Sequence, residues 1–410
     1  MKVFIGLHNI ASQFQDLKYG FEKNGCSVLV VSDEINTSPI INNYSDINLN
    51  IKYREWINFI RPRRIRNNFY NRFGDYRRKI LHKCIQECDV FFFIWKTFYP
   101  SCEDLDLIKS RGKKIVALFV GDDVRWKPAM DQEFTMFNLS PIQYFDYNDS
   151  EDSLKIKLRY IRLMEKYADL IINTEDAAQL QTRPYLRNSR FLDLRGFRPS
   201  IEQRITPHII HSPSNRYFKG TKYILEAIEK LNSENINFSF SLIENLSNKE
   251  ALMKYAESDI LIGQLFAPSG GKQDMEALAS GTVVLTNNDQ KYLKYSPLKY
   301  PIIHTDPSNI LQVLRETIMD YEKRKKLAIQ GVEFAQKHLN VTDFCKNIID
   351  HLNHNGESSC FIEPTFLRDH YKPRNIWEIK LINESNKLVM NENWYRATIT
   401  SKVRSKLVFL

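Results

Sequence analysis

Two loops concentrate the residues that could do chemistry. The first reads FAPSGGKQDMEALASGTVVLTNN over residues 266–288, where an apolar run ends, two glycines follow and a helical pattern begins at once. A helix start presents unpaired backbone N–H groups, its aligned peptide dipoles add roughly half a positive charge, and Gly270 and Gly271 let an anion approach. This is a seat for phosphate. Met275, Leu278 and Ala279 form the buried stripe of that helix, which leaves Lys272, Gln273 and Glu276 on another face. The second loop, HSPSNRYFKGT over 211–221, also follows an apolar run and carries Arg216 and Lys219. In an open α/β sheet such loops share one crevice. Two cations and a helix N-terminus there suit a diphosphate; the alternative is that both cations are solvated loop charges.

Asp122 and Asp123 follow the apolar run 115–120 directly, so at least one is expected to face a crevice and to serve as a general base. Asp after a strand is also ordinary turn chemistry. His8, at the end of the first apolar run, is a rival on the acceptor side. The nine histidines do not cluster at zinc spacing and the six cysteines read as reduced thiols, so no metal or cofactor is expected. Residues 8–13 lack the glycines of a dinucleotide fingerprint, and no G-x-x-x-x-G-K-[ST] loop occurs, which argues against dehydrogenases and P-loop enzymes.

These loops need a scaffold, and the periodicity supplies one. Apolar runs at 3–7, 27–31, 90–95, 115–120 and 170–173 alternate with helical patterns, as do those at 208–211, 238–243, 259–265, 282–286 and 302–304. The fold class expected is α/β: two doubly wound Rossmann-like domains facing across a cleft. The expected division is 1–200, then 201–354 after a linker near 195–202, then an extension 355–410 without assigned role. With 410 residues and 43 % apolar content the chain can fill two cores. The apolar stretch at its N-terminus is shorter than a signal peptide is expected to have and no run reaches the ~18 residues of a membrane span, so a cytoplasmic protein is expected.

On these residues, the stretch 211–288 resembles the donor-binding domain of GT-B glycosyltransferases, in particular the retaining group 1. The resemblance implies that Lys219, followed by Gly220, contacts a donor diphosphate, and that Gly271 approaches the phosphates. It also implies that Glu276, in the pattern Glu276-Ala277-Leu278-Ala279 with Gly281, accepts bonds from ribose hydroxyls. Residues 113–125 match the central strand and acceptor-side loop. Two positions depart: Pro268 stands where the family has a glutamate touching the sugar, and Ser214 where it has an arginine, leaving Arg216 as the substitute. The implied activity is metal-independent, retaining transfer from a nucleotide-diphosphate sugar to a glycan or lipid-linked acceptor, in polysaccharide or glycoconjugate synthesis. A nucleotide-sugar epimerase is an alternative within the same fold.

The charge points elsewhere. Residues 52–83 hold eleven Lys or Arg against two acids, a net of +9 that equals the excess of the whole chain. Aromatics interleave with them, and Arg61, Arg63, Arg64 and Arg66 form the densest cluster. Each cation near an anionic leaflet contributes about 1 kcal/mol, so this window is the candidate for peripheral attachment to an anionic membrane surface. Nucleic-acid binding by the same window is the weaker alternative, because it would leave the phosphate crevice without a task.

Overall fold

The computed structural model describes residues 1–34, 44–50, 63–143, 146–187, 190–268, 270–290, 292–293, 298–353 and 361–395, with the backbone alone for 63–74. A first sheet contains β1 (Lys2–Leu7), β2 (Ser27–Ser32), β3 (Ile47–Asn48), β4 (Val90–Ile94), β5 (Lys114–Leu118), β6 (Leu170–Asn173) and β7 (Tyr185–Arg187). A second contains β8 (His208–His211), β9 (Ser239–Leu242), β10 (Ile260–Ile262), β11 (Val283–Thr286) and β12 (Ile303–His304). β13 (Phe361–Ile362) then returns to the first sheet. The orders are β13-β7-β6-β5-β4-β1-β2-β3 and β12-β11-β10-β8-β9, parallel throughout except for the pair β13 and β7.

Period two explains why β4 reads as an unbroken apolar run. Phe91 and Phe93 join Phe4 in the core on one face, while Val90, Phe92 and Ile94 join Val3 and Ile5 on the other. Each fully buried Phe here contributes about 1.5–3 kcal/mol. The second sheet repeats the scheme, with Ile209, Ile260 and Leu285 on one face and Ile210, Leu261 and Val284 on the other. The expected pair of doubly wound α/β sheets is therefore present.

The chain crosses between the sheets twice. Residues 197–207 carry it over, and the approach is close enough that a Cβ on Gly281 (φ 82°) would stand 2.3 Å from the Ser200 carbonyl oxygen. The helix Val341–Asn353 then brings it back against the helix Gln13–Lys23, with Phe344 stacked on Phe191 at 4.3 Å between ring centroids. Thus the packing does not break at 354: residues 341–353 lie in the core of the first sheet through Val341, Phe344, Cys345 and Ile348. The tail also has a place. β13 extends the first sheet, and the helix Ile376–Asn386 packs on the helix Glu151–Tyr167, where Arg162 Nε donates to Asn386 Oδ1 at 2.9 Å.

Of the basic window, Arg61 lies outside the described residues, and Arg63, Arg64 and Arg66 fall where only backbone is described, in the helix Arg63–Glu87. That helix docks through Leu81, Cys84 and Ile85, and Arg77 grips Asp33 at 2.7 and 3.1 Å. Burial pushes the thiols of Cys84 and Cys88 up, to about 12 and about 11. The five described cysteines are free and buried. Among the described residues no helix is long and apolar enough to cross a membrane.

A small apolar cluster joins the two halves: Met130 and Phe134 of the helix Lys127–Met136 meet Phe266, Ala267, Tyr292 and Leu293. Inside it Glu133 accepts from Gln179 Nε2 at 2.7 Å and from the Tyr292 hydroxyl at 2.9 Å. Burial pushes its carboxyl from 4.5 up to about 7, and the nearby Asp176 and Glu175 add to the rise. Tyr185 and Tyr292, also buried there, stay protonated. A raised carboxyl holds its proton in the folded state where the unfolded chain has lost it. Stability from this group therefore falls as pH rises from the ordinary value to the folded one. Glu133→Gln is expected to raise the melting temperature by a few degrees near pH 8 and to leave it unchanged near pH 4, as read by calorimetry. Equal shifts at both pH values would contradict this.

Candidate active site

β8, β10 and β11 end side by side, and a neutral histidine ties them to the loop above. His211 is fully buried, with Nδ1 2.7 Å from the Ile262 carbonyl and Nε2 2.8 Å from Thr221 Oγ1. Burial lowers its pKa to about 4, and Lys219 pushes the same way. The carbonyl only accepts, so Nδ1 carries the proton and Nε2 takes the threonine hydroxyl. This bond fixes the start of the helix Thr221–Ser233, and with it the short helix Arg216–Lys219 that closes on Gly220 at φ 76°.

Lys219 points inward. It is 8 % exposed, its ammonium lies 3.2 Å from Gln264 Oε1, and a Cβ on Gly271 would stand only 3.6 Å from it. Burial lowers its pKa, Asp274 opposes that, and Arg190 adds to it. Asp274 is fully buried in the first turn of the helix Lys272–Ala279, where it accepts the Gly271 N–H at 2.6 Å and the Thr286 hydroxyl at 3.3 Å. Gly263 makes room for it, since a Cβ there would fall 2.1 Å from Asp274 Oδ1. Burial raises the Asp274 pKa, with Lys219 the largest opposing influence.

The start of that helix is built as the sequence suggests. Gly270 takes φ 63°, and the amides of Lys272 and Gln273 sit in the first turn, beyond the reach of any carbonyl of the helix. The side-chain nitrogen of Gln273 is buried with no hydrogen-bond partner among the described residues. One turn on, Glu276 accepts from Asn248 Nδ2 at 3.1 Å, and burial pushes its carboxyl up to about 6. Lys272 turns away to bridge the halves, its ammonium 2.5 Å from both Asp16 Oδ2 and the Ala11 carbonyl. Arg216 does not join Lys219: it is 54 % exposed and bound through Nε to Glu244 at 2.8 Å.

Across the crevice, Asp123 is folded under its own turn. Its carboxylate accepts the N–H groups of Gly121 at 2.8 Å and Val120 at 3.2 Å, and burial pushes its pKa up to about 6. Asp122 is half exposed and pairs with Arg125 at 3.1 Å; Arg125 in turn holds Asp176 at 2.6 Å and lies over the Phe218 ring. His8 Nδ1 stands 2.8 Å from Glu34 Oε1, with its ring against Trp95. A cavity of about 550 Å³ opens at these strand ends, lined by Asp33, Trp95, Lys96, Tyr99, Asp122 and Lys157. The hydroxyl of Tyr160 is buried at its wall without a partner among the described residues.

Solved structures of similar fold are known. Sucrose-phosphate synthase from Thermosynechococcus elongatus superposes with a TM-score of 0.55 over 87 % of this chain and 99 % of its own, at 12 % identity. The structural neighbours include glycosyltransferases of the GT-B type. The chain has the GT-B fold. Two more GT-B structures match at a TM-score of 0.50 over 86 % of this chain and 99 % of theirs. They are Anabaena HepE in complex with UDP and glucose, at 10 % identity, and an alpha-glucosyltransferase in complex with UDP and a 13-mer DNA, at 14 %. No family model matches the chain, and no curated protein matches it in sequence.

Within this GT-B fold the structure adds residues that loop reading did not reach. Asp274 reads in the sequence as one more charge on a polar helix face, and only the glycine at 263 could have hinted that it turns inward. Arg190 donates through Nη2 to the Gly270 carbonyl at 2.9 Å and comes from beyond β7 of the other sheet, which no local pattern announces. Pro268, where the resembling family has a glutamate, follows Phe266 and Ala267, which join the apolar cluster between the halves.

Proposed function

We propose that this protein transfers a sugar from a nucleotide-diphosphate sugar to a hydroxyl of a glycan or lipid-linked acceptor. The observation that carries the reading is the buried ammonium of Lys219, held against the two-glycine start of the helix Lys272–Ala279 in a GT-B crevice. Breaking the sugar–phosphate bond gathers negative charge on the departing diphosphate, and a preorganised cation beside first-turn amides stabilises that charge as it develops. Glu276, steadied by Asn248, is placed one turn on to accept from the nucleoside, and is ionised above its pKa of about 6.

The first domain is the acceptor side in this reading. Its cavity offers the aromatic faces of Trp95 and Tyr99 with carboxylates and amines between them, which suits a hydroxyl-rich molecule. Asp123 is less suited to take the acceptor's proton than sequence order suggests, because its oxygens are engaged by backbone amides. Transfer with retention, as in the resembling group, lets the departing phosphate take that proton instead.

Thermal shift with UDP, GDP, ADP, TDP and their sugars tests the reading, and UDP is the first probe because GT-B neighbours hold it. A ligand at about 100 times its dissociation constant should stabilise the fold by roughly 2.7 kcal/mol. No shift with any of them would overturn the assignment. Product analysis with and without an added acceptor then separates transfer from epimerisation.

A further inference from the structure

The geometry points to Arg190 as the second cation of the diphosphate seat, supplied by the first domain across the crevice. It rests on the diphosphate reading above. The resembling family would place an arginine in the loop that carries Lys219, but Arg216 is spent at the surface on Glu244. Arg190 occupies the crevice instead. Its Nη2 donates to the carbonyl of Gly270, the residue immediately before the helix N-cap at Gly271, at 2.9 Å. The ammonium of Lys219 approaches the next glycine, within 3.6 Å of where a Cβ on Gly271 would stand. One glycine step is thus flanked by two cations that come from different sheets.

The position of Arg190 is built rather than incidental. The next residue, Phe191, is 3 % exposed and stacked on Phe344, and Leu192 exchanges backbone bonds with Leu339 at 2.7 Å and Val341 at 3.0 Å. These contacts leave the side chain little choice of origin. A guanidinium has five N–H donors in a planar fork whose geometry matches two phosphate oxygens. Arg190 and Lys219 sense one another, since the arginine's charge lowers the lysine's pKa. A diphosphate between them would relieve that repulsion, and its binding would tie the two domains together at the point where Lys272 already bridges to Asp16.

The test compares UDP with uridine on wild type, Arg190→Ala and Arg190→Lys, by calorimetry for the diphosphate and by ligand-observed NMR for the nucleoside. If another nucleotide is the one that stabilises the wild type, that diphosphate and its nucleoside replace them. Arg190→Ala should weaken diphosphate binding by about tenfold to a hundredfold, the scale of a charge-assisted bond, with nucleoside binding unchanged. Arg190→Lys should recover part of the loss, since charge returns without the fork. Equal diphosphate affinity in wild type and Arg190→Ala overturns the inference alone. Parallel loss of diphosphate and nucleoside also overturns it, because Arg190 would then only shape the site. A wild type that binds none of the diphosphates overturns the reading beneath it.

Discussion

Replacing Lys219 by alanine is expected to lower turnover by about 10²- to 10³-fold, the cost of removing one preorganised donor from a developing oxyanion. The donor's KM should move less than kcat, because the charge that Lys219 meets is larger in the transition state than in the bound substrate. Stability is expected to survive. A buried ammonium is itself unfavourable, as its lowered pKa shows, and its partner Gln264 also donates to the Ala267 carbonyl at 3.2 Å. Lys219→Met, which keeps the side chain's volume, should behave like the alanine variant. The measurement is steady-state transfer from whichever nucleotide sugar stabilises the wild type. A folded variant that turns over at the wild-type rate would remove Lys219 from the chemistry.

What the sequence disclosed about this site follows from where its residues lie on the strands. Lys219, Gly270 and Gly271 stand in loops that leave β8 and β10, and in a parallel sheet such loops must reach the same edge. That inference needs only strand order. Arg216 shows its limit: sharing a loop with Lys219 does not fix a direction, and Glu244 draws it to the surface. Asp123 shows another, since a residue after a strand can close a turn or face a cavity, and Asp123 does both: it accepts the amides of Val120 and Gly121 and still lines the cavity at the strand ends.

The fold was legible for the same reason and illegible for a related one. Long apolar runs such as β4 and β5 announce a sheet buried on both faces, whereas β13 has two residues and no period to read. The helix Val341–Asn353 has an apolar stripe in the sequence, but a stripe says which face is buried and not against what. Its partner proves to be the helix Gln13–Lys23 of the first half, through a glycine: a Cβ on Gly20 would stand 2.7 Å from both the Val341 carbonyl oxygen and Cys345 Sγ. Crossings between domains are properties of surfaces that meet only after both are formed. Arg190 and Glu133 belong to that class, which is why neither could be singled out beforehand.

Asp274 carries the second large effect, and it separates charge from packing. Asp274→Ala is expected to destabilise the fold by about 2 kcal/mol, because the Gly271 N–H would lose its acceptor at the helix start, whereas the Thr286 hydroxyl keeps the Gln264 carbonyl at 2.9 Å. Asp274→Asn keeps the shape and one acceptor oxygen, so most of that stability should return. What it cannot return is the negative charge that raises the pKa of Lys219. A lysine deprived of that support gives up its proton at lower pH, and the neutral amine no longer draws the diphosphate. Binding of the diphosphate to Asp274→Asn should therefore fade on the alkaline side at a lower pH than in wild type, measured by titration across about pH 7 to 10. An alkaline limb that stays in place would mean that the two residues do not share their charge, and that the helix start and Arg190 hold the anion without help from a tuned lysine.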